Sequence, residues 1–96
     1  MQFIVMAYDH PNSLDKRLAV RQKHIDVCMV MKQAGTMLYG VALVDGAGQM
    51  CGSMLVCDFP DRAGLDAYLK DEPYVTGGVW GKVDVIPCKV GPSFAK

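Results

Sequence analysis

Ninety-six residues with ten Lys+Arg against ten Asp+Glu carry none of the basic excess that draws proteins to nucleic acid or to anionic membrane surfaces. The length suits one domain, residues 1–96, and a composition that is 51% hydrophobic offers more apolar surface than so short a chain readily buries, which favours a homodimer. The opening MQFIVMAYDH has no basic region ahead of its apolar run, and that run falls far short of the ~20 residues that span a bilayer, so the expected setting is cytoplasmic and free of membrane.

In chain order, residues 2–8 form a compact apolar run of strand-forming types, broken by Asp9-His10-Pro11-Asn12-Ser13, where Asn12 or Ser13 offers an N-cap. A helical pattern then extends from Leu14 to Ala34 and stops at Gly35. Residues 36–44 read as a second strand, turned by Asp45-Gly46-Ala47-Gly48 into a third over 52–57. Asp58-Phe59-Pro60-Asp61 opens a second helix with a cap, a proline and an early acid; it runs through Leu69 and ends at Pro73. After Gly77-Gly78, residues 79–88 alternate as a fourth strand. The order βαββαβ predicts an α+β, ferredoxin-like domain, an antiparallel sheet with two helices on one face. The other face is left bare, and a second subunit's sheet is its natural cover.

The first helix contains an anomaly. At about 100° per residue, Val20, Val27 and Met31 form an apolar side that continues into Leu14, Leu18, Ile25 and Cys28, while Asp15, Gln22, Lys23, Asp26 and Gln33 gather opposite. His24, Arg17 and Arg21 fall within the apolar arc, so they are either satisfied structurally or line a cleft. Asp9 ends the first strand with the parity of Phe3, Val5 and Ala7, which turns its carboxylate to the face those residues share. A carboxylate at that strand tip is within expected reach of a helix histidine two turns in. Such a pair orients the imidazole and stabilises the imidazolium formed when it accepts a proton, and histidine titrates close enough to neutrality to serve as base and then acid.

Other chemistries find less support. No G-x-S-x-G or G-x-G-x-x-G occurs, and neither Ser53 nor any of the four cysteines has an obvious adjacent base. The cysteines show no C-x-x-C pair and no metal-like spacing with the two histidines, so they are expected to be reduced thiols, with no metal and no cofactor. His10, in the loop beside Pro11, reads as a surface residue.

The segments Ala7-Tyr8-Asp9, Ser13-Leu14-Asp15-Lys16-Arg17-Leu18-Ala19-Val20-Arg21-x-x-His24, Glu72-Pro73-Tyr74-Val75, Gly78-Val79 and Val83-x-Val85-x-Pro87 resemble the YciI-like (YCII-related) family, in register over almost the whole chain. Gly52-Ser53 and Asp58-Phe59 fit the same pattern. The resemblance implies a ferredoxin-like dimer with a His–Asp dyad falling on His24 and Asp9. The chemically defined branch of the family removes HCl from a chlorinated hydroxyhydroquinone without a redox cofactor. It therefore implies a lyase, or an isomerase, acting on a small hydroxylated aromatic, with Arg17 or Arg21 on the phenolate and Ser53 and Tyr74 as hydrogen-bonding or wall residues. Gly40-Val41-Ala42 and the short Val44–Cys51 connection depart from the family pattern in the expected pocket wall. A ligand-binding or regulatory module without turnover, and a dimeric interaction domain with His24 in its core, are the competing classes.

Overall fold

A computed structural model describes residues 1–95. It contains β1 (Gln2–Asp9), α1 (Leu14–Ala34), β2 (Met37–Val44), β3 (Met50–Asp58), α2 (Arg62–Asp71), α3 (Pro73–Thr76) and β4 (Trp80–Cys88). The strands form one sheet in the order β2-β3-β1-β4, antiparallel at every junction, and the helices cover one face. This is the ferredoxin-like plan expected from the element order.

Alternation in β1 sends Phe3, Val5 and Ala7 inward, where they are at most 1% exposed. Cross-strand pairing joins Phe3 to Cys57 and Val5 to Leu55, and these four pack with Met37, Leu65, Tyr74 and Val79 into the core. Val20, Cys28 and Met31 bring α1 onto that cluster. Gly35 ends α1 in the left-handed conformation at φ 81°, a backbone setting that glycine adopts without steric cost. At Gly52 a Cβ would lie 2.5 Å from the Ala7 carbonyl oxygen, so only glycine lets β3 close on β1 beside Ser53.

The boundaries differ from the sequence reading in two instructive places. Asp58 does not cap the second helix: it continues the β3 ladder opposite Gln2 and accepts from the Gln2 side-chain amide at 3.3 Å. The cap is Asp61, whose Oδ1 accepts from the Gly64 N–H at 2.9 Å. Pro73 does end α2, but it also occupies the first turn of the short α3, where its missing N–H costs nothing. The Glu72 side chain caps α3 by accepting from the Tyr74 backbone N–H at 3.2 Å.

Candidate active site

Asp9 reaches the helix-covered face, as its strand parity dictates, but it does not meet His24. Its two carboxylate oxygens accept from Arg17 Nε at 2.8 Å and Arg17 Nη2 at 3.1 Å, and both side chains are almost fully buried. The planar guanidinium fork matches a carboxylate in two parallel bonds, and Arg17 lies at the end of α1 nearest the β1 tip. His24 is seven residues further on, about 10 Å along the helix axis. The expected Asp9–His24 contact is therefore replaced by two separate pairs.

The carboxylate that meets His24 belongs to Glu72, at the junction of α2 and α3. Its Oε1 lies 2.5 Å from His24 Nδ1, and its Oε2 accepts from the Tyr68 hydroxyl. Glu72 is completely buried. Burial, and then the Glu72 charge, push the Tyr68 hydroxyl far above its ordinary pKa, which keeps it a donor to that carboxylate. Because a carboxylate only accepts, the His24 proton belongs on Nδ1, and the Nε2 lone pair is left as the basic site.

Nε2 has Cys28 Sγ 3.4 Å away, one helical turn along α1. The expectation that no cysteine has a neighbouring base is corrected here: residues four apart on a helix share a face, and Cys28 shares that of His24. Burial, helped by the Glu72 charge, raises the Cys28 thiol to about 11, so it stays protonated at neutral pH.

Tyr74 ties the two pairs together. Its ring stacks on the His24 imidazole at a centroid separation of 4.1 Å, and Arg17 Cζ lies 4.4 Å from the centroid of the same ring. Burial raises the Tyr74 pKa, partly offset by the charges of Arg17 and Arg21. Arg17 Nη2 also donates to Ser53 Oγ at 2.7 Å, so Ser53 is a buried partner of that guanidinium. The Trp80 ring presents an edge to His24 at 6.3 Å.

A cleft of about 380 Å³ opens between α1 and the β2–β3 side of the sheet. Arg17, Arg21, His24, Cys28, Ser53 and Tyr74 line it, with Gly40 and Ala42 on the opposite wall. Of the six residues singled out from sequence, five therefore meet one cavity, and Asp9 stands behind Arg17. Glu72, Tyr68 and Cys28 were missed. The available signals were the Glu72-Pro73 step, which marks a helix start as much as a stop, and the four-residue spacing of His24 and Cys28. Among the described residues no group of three or more His, Cys, Asp or Glu side chains is arranged to hold a metal ion, and no helix is long and apolar enough to cross a membrane.

The sequence profile of the YCII-related domain matches residues 1–89. Protein YciI of Escherichia coli O6:H1 is 32% identical over 95 residues, spanning 93% of this chain and 97% of its own, and an uncharacterized protein of Haemophilus influenzae is 30% identical over the same shares. Among solved structures, the 5-chloro-2-hydroxyhydroquinone dehydrochlorinase TftG of Burkholderia phenoliruptrix AC1100, in complex with 2,5-dihydroxybenzoquinone, superposes with a TM-score of 0.87 at 19% identity. That alignment covers 97% of this chain and 98% of TftG. An antibiotic biosynthesis monooxygenase shares the fold more loosely, with a TM-score of 0.55 at 18% identity over 95% of this chain and 98% of its own.

Proposed function

The chain belongs to the YCII-related family, and from that membership and the cleft geometry we propose that it is a lyase in which His24 moves protons on a small hydroxylated aromatic. The favoured reaction is loss of HCl from a chlorinated hydroxyhydroquinone, giving a hydroxyquinone. The observation that carries the reading is His24 itself: Nδ1 is held by buried Glu72, while the ring lines an open cleft with Nε2 as its basic atom. The likeness to TftG in fold supports the choice of substrate class.

His24 Nε2 takes the proton of one ring hydroxyl, and Glu72 stabilises the imidazolium. The proton returns to the chlorine-bearing carbon, which yields the keto tautomer. Removal of a second hydroxyl proton then sends an electron pair through the ring, forming a carbonyl and a carbon–carbon double bond as chloride leaves. Two hydroxyl protons are lost and one is gained at carbon, so the net change is HCl. The oxidation of the ring is balanced by departure of chlorine as chloride.

In this scheme Arg21 faces the developing phenolate oxygen, and Arg17, fixed by Asp9 and Ser53, does so from the inner end of the cleft. Tyr74 forms the wall on which the ring of His24 rests. Asp9 thus serves by holding Arg17, and the acid partner of the histidine is Glu72.

We further propose a homodimer built on the uncovered sheet face. There Ile4 pairs across to Val56 and Ile86, and Met6 to Met54, while Tyr39 and Val41 extend the apolar surface over β2. Tyr39 is 65% exposed and Ile86 46% in the single chain, and a second sheet would remove both from water.

The test is chloride release from a chlorinated hydroxyhydroquinone. His24→Asn and Glu72→Gln, with folding verified by circular dichroism, should lower the rate by roughly 10²–10⁴. A His24→Asn protein with near-wild-type turnover would refute the assignment.

A further inference from the structure

Resting on the reading of the cleft as a site for a hydroxylated aromatic, we propose that its ligand also bears a permanent negative group of the carboxylate class, received by Arg21, with Lys32 adding attraction at longer range. The charge inventory of the cavity carries this inference. Its lining includes Arg17, Arg21 and Lys32 but no aspartate or glutamate, in a chain whose overall charge is zero. The two nearby carboxylates are already engaged and buried, Asp9 on Arg17 and Glu72 on His24. Arg17 thus already has an acidic partner. Among the described residues no hydrogen bond or ion pair engages the side chains of Arg21 or Lys32, so two uncompensated cations face the cleft. The apolar wall on the β2 side, at Gly40 and Ala42, focuses that field inward.

Position along α1 gives the ligand a direction. Arg21, His24, Cys28 and Lys32 follow at intervals of three and four residues, so they share one stripe of the helix. Arg21 stands about 4.5 Å before His24 along the axis, and Lys32 about 12 Å beyond it. A ring beside the imidazole therefore has a guanidinium within reach of a substituent on one side and an ammonium at longer range on the other. The guanidinium fork suits a planar carboxylate in two bonds. Size agrees: the cleft holds about 380 Å³, whereas a cavity of about 150 Å³ already admits benzene. A bare ring would leave most of the space and both cations to water.

Equilibrium binding of hydroquinone and 2,5-dihydroxybenzoate, which differ only by a carboxylate, tests the inference without turnover. The wild-type protein should bind the carboxylate roughly three- to fivefold more tightly at low salt, the worth of one partly exposed ion pair. That preference should shrink as salt rises from about 0.01 M to 1 M and the screening length falls from ~30 Å to ~3 Å. In the Arg21→Gln/Lys32→Gln protein the ratio of the two affinities should approach one, with Arg21→Gln alone giving the larger part of the loss. Equal affinities in the wild-type protein, or a preference retained in the double variant, would overturn the inference while leaving the aromatic site intact. Binding of neither compound would overturn both.

Discussion

Glu72 is a buried acid whose two oxygens face three donors: His24, the Tyr68 hydroxyl and the Tyr74 backbone N–H. A carboxylate so satisfied can sit in the core and still present its charge to one imidazole edge. Removing the phenol should be felt in both stability and chemistry. Tyr68→Phe is expected to cost about 1–3 kcal/mol, the usual penalty for an unpaired buried acceptor, seen as a lower Tm. The thiols give a separate prediction. Burial raises Cys28 to about 11 and Cys57 to about 12 from an ordinary 9.0. A group whose folded pKa is raised stabilises the fold fully below its unfolded pKa and loses that contribution as pH climbs through the folded value. Tm should therefore fall as pH rises from 9 toward 11, and less steeply for Cys28→Ala; a flat profile over that range would contradict the burial of these thiols. His24 itself was legible in the sequence because it breaks the polarity pattern of its helix. Its partner was not, since Glu72 looks like an ordinary acid before a proline, and only the packing of α3 against α1 brings the two together.

At the scale of elements, β1 and α1 are joined at their shared end by a buried ion pair. Asp9→Ala would leave Arg17, 2% exposed, with Ser53 Oγ and the Tyr74 face in place of a counter-charge. Breaking such a pair from one side typically costs about 3–5 kcal/mol, and a chain of this size loses roughly 4–8 °C of Tm per kcal/mol. The predicted signature of Asp9→Ala is thus a large fall in thermal stability, whereas Glu72→Gln is read chiefly in rate. The element order could be derived from residue periodicity because each strand alternates or runs apolar between clear breakers, and Gly35 ends α1 where expected. The start of α2 could not. Asp58-Phe59-Pro60-Asp61 contains two eligible caps, and the choice depends on Asp58 pairing with Gln2, a contact 56 residues distant in the chain. The reach of Asp9 was misjudged for a related reason: parity fixes which face a side chain joins but not which of two residues, seven apart on the opposing helix, lies nearest.

Over the whole molecule, the sheet separates two surfaces of different character. The cleft lies on the helix side, between α1 and β2–β3, and the apolar face around Val56 lies on the other. Val56 pairs with both Ile4 and Tyr39, so Val56→Lys places a charge at the middle of the proposed subunit contact. Sedimentation at micromolar concentration should give a dimer for the native chain and a monomer for this variant; a monomeric native chain would remove the dimer. The proposed chemistry depends on where the proton of His24 resides. Nitrogen-15 shifts of the His24 ring measure this most directly. The expected result is a proton on Nδ1 with Nε2 unprotonated in the native protein, relaxing toward a mixture of tautomers in Glu72→Gln. A proton found on Nε2 in the native protein, with Nδ1 bare, would contradict it.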